Sequence, residues 1–137
     1  MDKVSSSEHG LPRILLIDDE PGICMALSLL LHDLFVVEAA MTAAEGLARA
    51  REPFALILMD LCMPGVTRYE LLEAIRQIAG ETPIAVLSAM GDLRTREDVL
   101  RHGAAALIEK PFSRQELLRH IGAMLTSGEA GHTDAGV

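Results

Sequence analysis

Short apolar runs alternate with helix-patterned segments along this chain, and that alternation restricts the fold more than any other feature. The runs are Arg13 to Ile17, Phe35 to Ala39, Phe54 to Met59, Ile84 to Leu87 and Ala105 to Ile108. Strands separated by helical stretches predict βαβ units and a parallel sheet. Leu56-Ile57-Leu58-Met59 reads as a strand buried on both faces, although periodicity alone leaves a short buried helix open. The run stops at Asp60 ahead of a Pro64-Gly65 turn, which sets a carboxylate at a strand tip. An aspartate before a turn is usually turn chemistry, so Asp60 gains meaning only from what lies at the other strand ends.

The helical segments carry their own start signals. The first opens at Pro21, a favoured first-turn residue, and sets Ile23, Leu27, Leu30, Leu31 and Leu34 on one face. Met25 and Leu29 widen that stripe, as a partner contact would. The second begins Thr42-Ala43-Ala44-Glu45 and the fifth Ser113-Arg114-Gln115-Glu116. Both are capping boxes, in which hydroxyl and carboxylate satisfy each other's orphaned backbone N–H groups. The third runs from about Tyr69 to Gly80 with Leu71, Leu72, Ile75 and Ile78 as its apolar face. The fourth, about Thr95 to His102, has only Val99, Leu100 and a few small residues to bury, and is expected to be the least firmly held. The fifth offers Leu117, Leu118, Ile121, Met124 and Leu125.

Half of the 137 residues are apolar, enough for one domain with a proper core. That domain is expected over residues 11–126, with flexible tails at 1–10 and 127–137 whose small and polar residues have little to bury. Lys and Arg number 12 against 20 Asp and Glu, a net charge of -8, so the broad basic footprint of a direct nucleic-acid binder is missing. The first residues lack an apolar signal core and no apolar run approaches bilayer length, which gives the expectation of a cytoplasmic protein without membrane association. Cys24 and Cys62 form no C-x-x-C pair, and no Cys/His cluster has zinc spacing. Both are expected as reduced thiols, and His32, His102 and His120 as surface residues.

Right-handed crossovers carry every carboxyl end of a parallel sheet to one edge. The first strand is followed there by Asp18, Asp19 and Glu20, the third by Asp60, the fourth by Ser88 and the fifth by Lys110 and Pro111. Taken singly, the paired aspartates could answer the positive end of a helix, Ser88 could close a strand and Lys110 could be a solvated charge. Their joint arrival at one edge is what these readings fail to cover. Carboxylates packed together resist ionisation unless a cation sits among them. Oxygen donors with no imidazole or thiolate set suit Mg²⁺, which also accepts phosphate oxygens. The Lys110 ammonium can then neutralise a dianionic phosphoryl group while the Ser88 hydroxyl donates to one of its oxygens. Asp60 is left as a nucleophile for in-line attack on a phosphoryl donor, with an acyl phosphate as product.

Four segments, Ile17-Asp18-Asp19-Glu20-Pro21, Met59-Asp60-Leu61-Cys62-Met63-Pro64-Gly65, Pro83-Ile84-Ala85-Val86-Leu87-Ser88-Ala89 and Lys110-Pro111-Phe112, resemble the receiver domains of two-component response regulators. In this order and at these spacings the resemblance is specific, and it covers about Arg13 to Leu125. It implies a flavodoxin-like, doubly wound five-stranded sheet of order 2-1-3-4-5 flanked by five helices, an order known for a chemotaxis receiver. It implies that Asp60 takes a phosphoryl group from a sensor histidine kinase or phosphotransfer protein. Asp18 or Asp19, Asp60 and the Cys62 carbonyl would hold Mg²⁺, and Ser88 and Lys110 would bind the phosphoryl group. Ser88, Leu107 and Pro111 fall at the family's switch positions, with a cis Lys110-Pro111 bond that would aim the ammonium at Asp60. Such a chain is a signalling switch rather than an enzyme, since it catalyses only its own phosphorylation and dephosphorylation. Its output would pass to a downstream protein target or a fused effector domain, with a homodimer through the fourth helix, last strand and fifth helix as one response. Stand-alone regulator and excised receiver both stay open.

The sequence departs from the family pattern where an aromatic residue usually stands three before the Lys, since Leu107 fills that place. Transmission of Ser88 movement is therefore expected through aliphatic repacking or through the loops and fourth helix. Arg68 stands where many receivers have Gly, and Cys62 and Met90 fall at positions that tune phosphate lifetime. Three rivals remain to be weighed. An aspartyl phosphatase would carry an acid two residues after its nucleophile, and Cys62 occupies that position. A degenerate receiver acting as a phosphorylation-independent scaffold is countered by the complete set of acids, hydroxyl and Lys. Flavin binding has one Tyr, no Trp and no phosphate-cradling loop in its favour.

Overall fold

The computed structural model describes residues 10–134. The strands are β1 (Arg13–Ile17), β2 (Val36–Ala40), β3 (Leu56–Asp60), β4 (Ile84–Ser88) and β5 (Ala106–Glu109). The helices between and after them are α1 (Pro21–Leu31), α2 (Ala43–Arg49), α3 (Arg68–Ala79), α4 (Leu93–Arg101) and α5 (Arg114–Asp134). All strand pairs are parallel, in the order β2-β1-β3-β4-β5, so the flavodoxin-like doubly wound arrangement is present. In this topology β3 lies at the centre between β1 and β4, and the winding of the chain reverses between β1 and β3. That reversal opens the crevice in which ligands of such sheets bind.

Alternate residues of each strand feed opposite cores. Ile14, Leu16, Leu56, Leu58, Ala85, Leu87 and Ile108 face α1 and α5, where Leu27, Leu31, Leu117, Ile121 and Met124 close the layer. Leu15, Ile17, Ile57, Met59, Ile84, Val86 and Leu107 face the other side, against Leu71, Leu72 and Ile75 of α3 and Val99 of α4. Burial on both faces explains why these strands read as unbroken apolar runs rather than alternating ones.

Both capping boxes form, with one variation. At α5 the Ser113 N–H donates to the Glu116 carboxylate and the Glu116 N–H to the Ser113 hydroxyl. At α2 the Glu45 N–H donates to the Thr42 hydroxyl, but the Glu45 carboxylate accepts from the Met41 N–H, one residue before the cap. α3 ends at Gly80, whose φ of 66° is a backbone conformation glycine adopts without a steric penalty.

Several boundaries differ from expectation, each for a local reason. α1 stops at Leu31, leaving Leu34 outside the helix and 41 % exposed. Its wider stripe is solvent-facing too, with Met25 68 % and Leu29 70 % exposed. α4 starts at Leu93 rather than Thr95, because Asp92 caps it by accepting from the Thr95 N–H. Leu100 points outward and Thr95 inward, so Val99 is the apolar anchor of α4. α5 runs on to Asp134 through residues expected as a tail. No proline interrupts Ser127 to Asp134, and a started helix adds one backbone bond per residue. The expected N-terminal tail, apart from Gly10, lies outside the described residues.

Candidate functional site

β1 ends at Ile17, and the Asp18 N–H still donates to the Ala40 carbonyl of the neighbouring strand at 3.1 Å. That bond fixes Asp18 at the sheet edge with its side chain fully buried. One carboxylate oxygen, Oδ1, accepts from the Glu20 N–H at 3.0 Å. The other, Oδ2, is buried with no hydrogen-bond partner. Burial pushes the Asp18 carboxyl up from its ordinary value, against the Glu20 N–H and the Lys110 charge, which pull it down. Asp60, the last residue of β3, has Oδ1 3.3 Å from the Cys62 N–H and 3.7 Å from the Lys110 ammonium. Asp18, Asp19 and Asp60 each offer an oxygen within 4.8 Å of the others. Three like charges so placed repel one another, and the donors are all hard oxygens compatible with a divalent ion.

Lys110 supplies part of that charge. Its Nζ stands 3.5 Å from Asp18 Oδ2 and 3.5 Å from Glu20 Oε1, while the Lys110 N–H donates to the Ser88 carbonyl at 2.8 Å. Burial by itself lowers the ammonium pKa, but Asp18, Asp60 and Glu20 outweigh it, so Lys110 is raised and holds its proton more firmly than a free lysine. The Lys110-Pro111 bond is cis. Ser88, 6 % exposed at the end of β4, accepts the Met90 N–H on its hydroxyl at 3.0 Å. Leu107 is buried in the core layer that contains Val99. Asp18, Asp19, Asp60 and Lys110 thus converge, and Ser88 is joined to Lys110 through the backbone.

Two participants were not singled out by the sequence. Glu20 was read only as one of the acids after the first strand, yet it shares Lys110 with Asp18. Arg96 on α4 donates to the Gly91 carbonyl at 3.1 Å and to the Leu107 carbonyl at 3.3 Å. Its position one turn beyond the Asp92 cap was the available signal, but nothing in spacing alone distinguishes it from the other α4 arginines.

A doubly wound parallel sheet with an acidic cluster and one shared lysine at the switch between strands belongs to the class of α/β modules that bind their ligands at the carboxyl edge. Residues 14–122 match the family model described as the response regulator receiver domain, and the chain belongs to that family. A transcriptional regulatory protein, a CpxR homolog of Haemophilus influenzae, is 34% identical over 116 residues, covering 84% of this chain and 51% of that protein. The chain spans about half the length of the curated relatives it matches. Among solved structures, a CheY-like receiver domain protein of Methanospirillum hungatei superposes with a TM-score of 0.79 at 32% identity, covering 88% of this chain and 98% of that one. The chemotaxis response regulator CheY4 of Vibrio cholerae gives a TM-score of 0.76 at 29% identity over 84% and 99% of the two chains. The family places the chain in two-component signalling, and receiver domains are signalling modules rather than enzymes. No helix among the described residues is long and apolar enough to cross a membrane.

Proposed function

We propose that this chain is a phosphorylation-dependent switch in which Asp60 accepts a phosphoryl group from a phospho-histidine on a sensor kinase or phosphotransfer protein. The observation that carries this reading is the buried Oδ2 of Asp18, which makes no hydrogen bond and shares the Lys110 ammonium with Asp60. A buried carboxylate oxygen without a hydrogen bond is costly, and a bound cation beside Lys110 would reduce that cost. The donor set of Asp18, Asp19 and Asp60 suits Mg²⁺, with the Cys62 carbonyl as a further oxygen ligand. When bound, the ion supplies charge neutralisation for the phosphoryl oxygens.

The chain's own residues do the rest. The Asp60 carboxylate attacks phosphorus in line as the phosphorus–nitrogen bond of the donor breaks, and the imidazole leaves with that electron pair. Lys110, kept protonated by its three carboxylate neighbours, holds its positive charge against the transferred group. The Ser88 hydroxyl donates to a phosphoryl oxygen. Asp18 and Asp19 take no part in bond making and would hold the ion. The transferred group adds about -1.5 to -2 charges at the carboxyl edge. The face made by α4, β5 and α5 then changes for a downstream target, a fused effector domain or a second copy. The work is done in the cytoplasm, where the kinase's catalytic half would be found.

Intact mass after incubation with Mg²⁺ and acetyl phosphate tests this reading. The wild type gains one phosphoryl group that hydroxylamine removes, and Asp60→Asn gains none. No gain by either protein, together with no response to beryllofluoride, would turn the reading to a scaffold that works without phosphorylation.

A further inference from the structure

The hydroxyl and the lysine of the switch have partners in place, but Leu107 gives β5 no side chain that could report their movement to the surface. The backbone around it does better. Ser88 holds the Met90 N–H, so the β4–α4 loop hangs on the hydroxyl that would turn toward a phosphoryl group. The next residue, Gly91, gives its carbonyl to Arg96 Nε at 3.1 Å, and Arg96 Nη1 reaches the Leu107 carbonyl at 3.3 Å. One guanidinium therefore ties loop, helix and last strand together. Gly91 also lies close to the end of β5, since a Cβ there would fall 2.6 Å from the Glu109 carboxyl group.

We propose that Arg96 is the positioning residue that transmits the state of Asp60 to α4. Its guanidinium latches the β4–α4 loop to β5 while Ser88 holds Met90, and the latch opens when Ser88 turns away. This inference rests on the phosphorylation reading above. A planar guanidinium can hold two carbonyls only at a fixed separation, and hydrogen bonds weaken steeply with stretch and misalignment. The Leu107 contact is already long, so a small displacement of Gly91 breaks the bridge rather than dragging β5 with it.

The two ends of α4 are held differently, which gives the motion a direction. At its C-terminal end Asp98 meets the Tyr69 hydroxyl, His102 meets Glu73, and the Tyr69 and His102 rings stack 4.3 Å apart, all against α3. Toward its N-terminal end, among the described residues, Arg96 is the α4 side chain hydrogen-bonded to the loop and to β5. Along the helix only Thr95 and Val99 are buried. Release of Arg96 frees the N-terminal turns while the α3 contacts hold the other end, so α4 pivots.

Amide hydrogen exchange of the full chain tests this, in the resting state and with Mg²⁺ and beryllofluoride. Arg96→Met keeps the aliphatic stem and removes both donors, and Arg96→Lys keeps the charge without the fork. In the wild type, beryllofluoride should speed exchange several-fold across residues 90–97 and less across 98–105. Resting Arg96→Met should already exchange at the activated wild-type rate over 90–97, with little further gain, and Arg96→Lys should fall between. Phosphoryl gain at Asp60 should persist in both variants. The latch is overturned if resting Arg96→Met matches the wild type, if beryllofluoride adds the same increment to both, or if the substitution speeds exchange equally in β1 and β3. A wild type that neither gains mass nor responds to beryllofluoride defeats the phosphorylation reading instead, and the resting comparison still decides whether Arg96 holds the loop.

Discussion

Asp18 shows how much of a site can rest on one side chain. It is the fully buried member of the acidic cluster, with one oxygen satisfied by the Glu20 N–H and the other facing Lys110 without a hydrogen bond. Asp18→Asn keeps the shape and removes the charge. A divalent ion then loses one of three carboxylates, so the Mg²⁺ concentration for half-maximal phosphoryl gain should rise on the order of tenfold or more. Time courses of intact mass across a Mg²⁺ titration measure that midpoint, and an unchanged midpoint would remove Asp18 from the ion's ligands. Asp18, Asp60, Ser88 and Lys110 were legible in the sequence because each follows an apolar run, and parallel topology sends every such position to one edge. Glu20 and Arg96 were not. Their parts depend on where a long side chain turns, and spacing carries no information about that.

At the scale of elements, one close packing and one thin one invite substitution. α2 lies so near β1 that a Cβ on Gly46 would come within 2.9 Å of Ile17 Cγ2, a buried branch that cannot swing aside. Alanine normally gains about 1 kcal/mol over glycine inside a helix, but overpacking of this kind costs about 1–3 kcal/mol. Gly46→Ala should therefore lower stability by about 1 kcal/mol in urea unfolding, and a stabilised protein would show that the layer yields. α4 presents the opposite case, because Val99 is its apolar anchor. Val99→Ala removes two buried methyl-sized groups, at a cost of about 2 kcal/mol, with amide exchange rising first over 93–101. Equal protection of that segment in both proteins would mean that α4 is held by something else. The thin anchoring of α4 was visible in its composition, whereas its start was not, since Asp92 caps the helix and starts it two residues before Thr95. Leu34 and Leu100 were misassigned because periodicity extends a face past the point where the helix or its cover ends. Residues such as Leu15 and Leu16 were placed correctly, because a run apolar on both faces has no exposed position to confuse.

Across the whole molecule the charges divide between the two edges of the sheet. At the carboxyl edge Asp18, Glu20 and Asp60 share the one ammonium of Lys110, while at the opposite edge Arg13 and Arg49 interlock with Glu38 and Glu52. The Phe54 ring packs 4.3 Å from the Arg13 guanidinium carbon and 5.5 Å from that of Arg49. This network joins β1, β2 and the end of α2 without touching the site, so it is a place to vary stability independently of switching. Hydrogen bonds from Arg49 and then Arg13 hold the Glu52 carboxyl down from 4.5 to about 2. A depressed folded pKa means that the stabilisation is fully present above about 4.5 and is lost as pH falls toward about 2. Glu52 is 39% exposed, so screening reduces its share to about 1 kcal/mol. Glu52→Gln should therefore be less stable than the wild type by about that amount at pH 7. The gap should close between pH 4.5 and 2, because the wild-type carboxylate is protonated there and loses what the amide never had. Urea midpoints of both proteins across that range measure the difference, with the titration of the acids outside this network common to the pair. Curves that stay parallel down to pH 2 would show that the network contributes through packing on Phe54 rather than through charge.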